Sequence, residues 1–297
     1  MRMTKSLIKA CTDTLMSNLK RNLQEHSYEA VYNKTFELVP ADNDELRGRC
    51  FRLRHKVLCE ENGYECPTDP ANFIESDEYD DRARHFMLKH RVSHEVVGTL
   101  RVILPNDEAP GESFPMQELC DHPLLKFDSR ALHLCEISRF VMAPRFRKRA
   151  SDGKFLSAYS EQDVVQIQDS GKTKQIRRQI PYAQAALLQG AFEAAMQAQI
   201  LDCVWMVEPL HLPSLQKIGF AYRVLGPQVK SHGGLQPLIF NIKHVLDTMR
   251  HEAPHCWTII SDNGRLQNMA DMLAQNHWQD GLIDQACKDM IYQKLLS

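Results

Sequence analysis

Three charged residues lie inside runs otherwise apolar enough to be buried β-strands: Arg101 within Val96–Leu104, and Glu136 and Arg139 within Leu132–Met142. Taking an ionised group out of water is costly unless an opposite charge or a hydrogen-bonding ligand compensates it. Whatever sheet this chain builds must therefore bring these side chains to one another, to other charges, or to a cleft. Glu136 and Arg139 are three residues apart, so an unbroken strand would place them on opposite faces, whereas a bulge would bring them together. On residue chemistry alone, a buried ion-pair network, a solvated sheet edge and a ligand site all satisfy the constraint.

The flanking pattern sets the kind of sheet. A strand over Thr35–Val39 is closed by Pro40, and Asp44 reads as the N-cap of a helix over Glu45–Cys59, where Leu46, Cys50, Leu53 and Val57 recur at three and four residues. Gly63 and Pro67 end that helix. His85–His90 and Val96–Leu104 form a hairpin about a turn at Ser93–Glu95. Beyond the Leu132–Met142 strand come an Ala-rich helix over Pro181–Gln199, a strand at Cys203–Val207, a short helix Leu212–Ile218 ended by Gly219, strands at Phe220–Leu225 and Leu238–Phe240, and a helical region from Val245. Strands that precede a helix and then resume predict an α/β (α+β) domain, a twisted mixed sheet flanked by helices. The chain divides into an N-terminal helical extension (1–34), the sheet domain (35–250) with a polar, mobile insertion at 150–178, and a C-terminal helical extension (251–297).

Composition narrows the function classes. A formal net charge of −2 over 297 residues gives no general attraction to nucleic acid or to an anionic membrane. No stretch approaches the ~20 apolar residues of a membrane-spanning helix, and Lys9, Thr12 and Asp13 interrupt any secretory h-region, so the chain reads as cytoplasmic. Leu7, Ile8, Leu15, Met16 and Leu19 share a helical face near Lys5, Lys9, Lys20 and Arg21, which fits a capping helix or a peripheral membrane contact. The nine cysteines include no CxxC pair and no zinc-finger spacing, so no metal site is expected and most are read as buried thiols in a reducing compartment. Cys135, beside Glu136, is read as such a thiol rather than as a nucleophile.

Three further clusters carry chemistry. A cationic helix face runs from Arg54 past Leu58 to an aromatic, Tyr64, after the Gly63 break. Asp77 and Asp80 are paired carboxylates in a loop before a strand; such loops are usually only solvated, but the pair could hold an ammonium group. Arg145, Arg147, Lys148 and Arg149 follow a strand, where a basic run is either surface or a phosphate site.

In this order the clusters resemble the acyl-homoserine-lactone synthases, a branch of the GNAT-like acyltransferases. That family carries an Arg on its first core helix followed by a Phe and a Trp, then an Asp-x-x-Asp loop, an Arg on a strand, and Glu-x-x-Arg-Phe. The matching residues are Arg54, Asp77, Asp80, Arg101, Glu136, Arg139 and Phe140, with Leu58 and Tyr64 in place of the two aromatics. Over nearly the whole chain the sequence is similar to the PEP-CTERM/exosortase-associated acyltransferases, related to N-acyl amino acid synthases, through Phe51–Tyr64, Asp77–Asp80, Gly98–Pro105, Glu136–Met142, Val204–Pro209 and His232–Pro237. Gln236 stands where an Arg is expected there.

The resemblance implies a GNAT-like acyl-CoA N-acyltransferase fold and a donor thioester on acyl carrier protein or CoA, with no permanently bound cofactor. It also implies transfer to the amine of an amino acid. The alternatives are autoinducer synthesis, which would consume S-adenosylmethionine, and a non-catalytic acyl-carrier-binding protein. Glu136 would be the base, with Arg101 and Arg139 anchoring the acceptor carboxylate or organising Glu136 and the Asp loop. A main-chain N–H near Phe140–Val141 would hold the oxyanion, and Arg54, Tyr64, Asp77 and Asp80 would line the substrate site. Arg145, Arg147, Lys148 and Arg149 would receive the donor's phosphopantetheine or its carrier; the fold's glycine-rich loop is missing there, which favours an acidic carrier protein.

Overall fold

A computed structural model describes residues 32–64, 68–69, 73–126, 133–146, 184–230 and 234–279. The expected N-terminal helix, the 150–178 insertion, and Arg147, Lys148 and Arg149 lie outside the described residues, as does the side chain of Arg145.

The described strands are β1 (Phe36–Pro40), β2 (Thr68–Asp69), β3 (Ile74–Glu75), β4 (Ala83–His90), β5 (Val96–Ile103), β6 (Leu134–Met142), β7 (Asp202–Val207), β8 (Arg223–Val224) and β9 (Gln236–Asn241). Seven of them form one sheet in the order β1-β4-β5-β6-β7-β9-β8, and β2 pairs with β3 apart from it. Every neighbouring pair in the sheet is antiparallel except β6 and β7, which run parallel. Parallel neighbours need a crossover. Here it contains helix α3 (Ala185–Gln197), after α1 (Asp44–Arg54) and α2 (Pro115–Leu119) and before α4 (Leu212–Lys217), α5 (Ile242–Glu252), α6 (Pro254–Ile260) and α7 (Arg265–Gln279).

A register shift opposite Leu88 and Lys89 leaves Val97 on the face of Leu100, and from Thr99 onward alternation along β5 sorts the two faces. Val97, Leu100 and Val102, with Cys135 and Ile137 of β6, join the Ala-rich face of α3 and the apolar residues of α5, α6 and α7 in the principal core. Gly190 lets α3 settle on the sheet, since a Cβ there would lie 2.6 Å from the Phe86 ring. The opposite face carries Thr99, Arg101 and Ile103, and it is covered by α1, through Cys50 against Met87, and by α2, through Met116 in a second cluster with Leu134 and Val204. Helices thus flank both faces of a mixed sheet, as the sequence pattern predicts. None among the described residues is long and apolar enough to cross a membrane.

Several boundaries differ from the sequence reading. The cap of α1 is Asn43, whose side chain accepts the Leu46 N–H, not Asp44. Its extension through His55–Glu61 is π-helical, a wider spiral that apolar periodicity does not distinguish. The expected strand Phe220–Leu225 shrinks to Arg223–Val224 because Phe220 turns into the core after Gly219, whose φ of +67° ends α4. Cys50, Cys120, Cys135, Cys203 and Cys256 are buried thiols outside any disulfide, as read, whereas Cys59 is disulfide-bonded.

Candidate active site

Register brings the strand charges together. Arg101 of β5 stands opposite Ser138 of β6, but the next pairing is Thr99 with Val141, so β6 carries one residue more than β5 over this stretch. The extra residue is taken up at a bulge where Arg139 adopts φ +52°, a left-handed conformation that non-glycine residues rarely hold without support. The bulge swings Arg139 to the face of Arg101, where both guanidiniums reach the same carboxylate, Asp77.

The partners come from the loop before β4. Arg101 donates to both oxygens of Asp77, with Nη2 2.8 Å from Oδ2, to Asp80 Oδ1 at 2.6 Å, and from Nε to Ser138 Oγ at 2.9 Å. Arg54, the last residue of α1, donates to both oxygens of Asp80 at 2.7 and 2.9 Å, and from Nε to Glu75. Arg139 donates from Nε to Glu75 Oε1 at 2.8 Å and from Nη2 to Asp77 Oδ2 at 2.9 Å. The Asp77 N–H closes the loop on Asp80 Oδ2 at 2.9 Å, and His85 Nε2 lies 3.0 Å from the Asp80 carbonyl oxygen. Three arginines and three carboxylates thus balance one another.

Burial alone would raise the Asp80 carboxyl, but the hydrogen bonds from Arg54 and the charges of Arg54 and Arg101 hold it far below the usual carboxylate range. Asp77 is likewise lowered, Arg101 outweighing its burial. The three guanidiniums differ in what they leave open. The side chains of Arg54 and Arg101 are 1% and 0% exposed and each nitrogen is engaged, whereas Arg139 is 26% exposed and its Nη1 has no partner among the described residues.

Glu136 sits on the same face, two residues before Ser138, but outside this lattice. Its neighbours across the sheet are Ile103 and Val204, both buried, and its Oε2 accepts the Met116 N–H at 2.9 Å. No arginine among the described residues bonds it directly. Burial pushes its carboxyl up to about 7, despite the Met116 hydrogen bond and the more distant charges of Arg101 and Arg139. Of the three strand charges, Arg101 and Arg139 meet through Asp77, and Glu136 shares their face without their contact.

Beside Glu136 the sheet opens. β6 and β7 pair from Leu134 with Asp202 to Ile137 with Trp205 and no further, although β6 continues to Met142 and β7, held by β9, continues to Val207. The Phe140 and Trp205 rings face each other across the parting strands with centroids 5.5 Å apart. The Ala143 N–H donates to the Val97 carbonyl of β5 at 2.8 Å. Alternation from there turns the Val141 N–H to β5 as well, up to the bulge at Arg139 and Phe140. Val141 itself packs with Leu53, Val57 and Leu58. At the far side of the gap, the Tyr64 hydroxyl donates to Glu208 Oε1 at 3.1 Å. Gln236 is structural, its Nε2 donating to the Gly226 carbonyl at 2.7 Å. Cys135 points to the other face, 3.4 Å from Cys203 Sγ in the core.

Sequence reasoning missed Glu75 and Glu208. Glu75 lies in a two-residue strand too short for any periodicity; the available signal was its place in the acidic run that begins two residues before Asp77.

The acetyltransferase (GNAT) domain family model matches residues 53–155, a span that holds the arginine–carboxylate cluster and Glu136. No curated protein matches the sequence. Among solved structures, the chain is similar to TofI in a ternary complex with an inhibitor and MTA (14% identity, 75% of this chain and 100% of that chain, TM-score 0.48). It is also similar to BjaI, a CoA-dependent acyl-homoserine lactone synthase, with SAM and isopentyl-CoA (18%, 78% and 89%, 0.46), and to FeeM, an N-acyl amino acid synthase from uncultured soil microbes (14%, 72% and 93%, 0.45). The family model over residues 53–155 and the mixed seven-stranded sheet with helices on both faces identify a GNAT-like fold.

Proposed function

We propose that the chain is an N-acyltransferase that moves a fatty acyl group from acyl carrier protein, or from acyl-CoA, to the amine of an amino acid in the cytoplasm, in the manner of the PEP-CTERM/exosortase-associated acyltransferases its sequence resembles. The observation that carries the reading is a buried carboxylate, Glu136, held near neutral pH where β6 and β7 part, with one arginine arm left open on the same face.

An amine must be neutral to attack a thioester. The ammonium proton goes to solvent; as the neutral amine adds, Glu136 as carboxylate, directly or through a water molecule, takes the second proton that the nitrogen sheds, and a carboxyl near 7 is matched to that task. The nitrogen adds to the thioester carbon, and a main-chain N–H near Phe140–Val141 donates to the oxyanion. Collapse breaks the C–S bond, and the proton held by Glu136 leaves with the thiol, so no acyl-enzyme is formed. Arg139 offers Nη1 to the acceptor's carboxylate. Arg54 and Arg101, with every nitrogen engaged, together with Asp77 and Asp80, hold the frame in which Arg139 stands. Tyr64 and Glu208 border the acceptor side, and the basic run from Arg145 to Arg149 receives the donor's phosphopantetheine or its carrier.

The test is incubation of the protein with long-chain acyl carrier protein or acyl-CoA, the amino acid pool and S-adenosylmethionine, with products read by mass spectrometry. An N-acyl amino acid that disappears in Glu136→Gln is expected. An acyl lactone would move the chain to autoinducer synthesis, and binding of carrier protein without any product would make it a non-catalytic module.

A further inference from the structure

The side chain of Glu75 is 1% exposed and accepts from two arginines at once: Arg54 Nε on Oε2 and Arg139 Nε on Oε1 at 2.8 Å. We infer that Glu75 is a positioning residue that aims Arg139 at the acceptor's carboxylate, the role given to Arg139 above, on which this inference rests. Arg139 needs such support more than its neighbours do. Its backbone is held at φ +52° in the bulge, and among the described residues only two of its nitrogens are tied, one to Glu75 and one to Asp77. Those two bonds fix the plane of the guanidinium and leave the remaining edge free. With the Asp77 bond alone the group would pivot about a single contact.

Glu75 can serve in this way because it is itself anchored. Its other oxygen belongs to Arg54, which is locked by both oxygens of Asp80, so the aim of Arg139 is referred through Glu75 to the end of α1. The substitution that exposes this is Glu75→Gln. An amide offers one accepting oxygen and one donating –NH2 where two guanidinium N–H groups converge, so one arginine must be released. Arg54, buried and bonded twice more, is the one that stays; Arg139, partly exposed, is the one that goes.

The experiment has a chemical and a kinetic part, both on the full chain. Phenylglyoxal, which modifies accessible guanidiniums, is applied to wild type and Glu75→Gln, and modification of Arg139 is followed by peptide mass spectrometry. Several-fold faster labelling in the variant is expected; an unchanged rate overturns the inference whatever the substrate. In steady-state assays with the acceptor varied, Glu75→Gln should lower kcat/KM by about ten- to a hundredfold, chiefly through KM. Adding it to Arg139→Ala should cost less than about threefold more, because both changes remove one function.

A fall in kcat that tracks the folded fraction, with KM unchanged, or effects that multiply in the double variant, would show that Glu75 acts only on the fold. Should Glu75→Gln not fold, Glu75→Asp keeps the charge and is one methylene short of bridging both arginines; it should raise KM in the same direction. If wild type acylates no amino acid while Arg139 labelling still accelerates, the acceptor reading fails and the positioning stands.

Discussion

Asp80 and Glu136 are both buried carboxylates facing the same side of the sheet, and their environments drive them to opposite states. Asp80 is met by the guanidiniums of Arg54 and Arg101, which hold it ionised far below its ordinary range. Glu136 is met by one main-chain N–H and apolar neighbours, and burial raises it to about 7. Burial penalises both; the number of donors directed at each decides the outcome. One carboxylate is thereby frozen as structure while the other is left free to exchange a proton.

The same isosteric change at the two positions separates these roles. Glu136→Gln should lower kcat by about 10²–10⁴-fold, the usual worth of a positioned general base. The fold should persist, because glutamine resembles the protonated acid and its oxygen can accept the Met116 N–H. Turnover measured beside a thermal melt checks this, and near-normal turnover would remove Glu136 from the chemistry. Asp80→Asn should do the reverse in kind. It leaves two buried guanidiniums short of charge, and breaking a buried pair costs about 3–5 kcal/mol, read by urea unfolding. An Asp80→Asn protein as stable as wild type would dissolve the contrast.

The pH dependence of stability sharpens it further. The Glu136 carboxyl is raised from 4.5 to about 7 on folding, so between these values the folded chain holds a proton that the unfolded chain has lost. Its contribution is therefore full below about pH 4.5 and falls by on the order of 3 kcal/mol as pH rises through 7. Asp80 and Asp77 are lowered by their arginines, so theirs is full above the unfolded value near 3.8 and is lost as pH falls below it. Wild type minus Glu136→Gln, followed by denaturant titration from pH 4 to 8, should isolate the first slope. The acid limb of activity should have its midpoint near 7, since only ionised Glu136 accepts a proton.

How much of this was legible in the sequence follows the same division. Arg101, Glu136 and Arg139 announced themselves by standing in apolar runs, because a charge there violates the alternation that defines the strand. The spacing of Glu136 and Arg139 posed the bulge as a question, and only the pairing of Thr99 with Val141 answers it. Glu75 escaped notice because its importance lies in two partners, 21 and 64 residues away in the chain, and its own two-residue strand leaves no pattern. The π-helical stretch His55–Glu61 and the Asn43 cap were missed for a related reason: apolar spacing locates a helix but not its pitch or its first residue. Periodicity reports which face a side chain takes, and not how many donors will meet it there.

Ser138 stands between the two regions, and its substitution should have the smallest effect. It lies on β6 two residues after Glu136, and its hydroxyl accepts from Arg101 Nε at 2.9 Å. Ser138→Ala removes one hydrogen bond to a charged group, worth about 1.5–3 kcal/mol. The lower end is expected, because Arg101 keeps its bonds to Asp77 and Asp80. The acid limb of activity should then stay near 7, since Arg101 acts on Glu136 only through its charge, and that charge does not move. A pH–rate profile of Ser138→Ala decides the matter. A shifted limb would mean that the cluster sets the proton affinity of Glu136 through the position of Arg101, and that the frozen and the titrating carboxylates belong to one coupled unit.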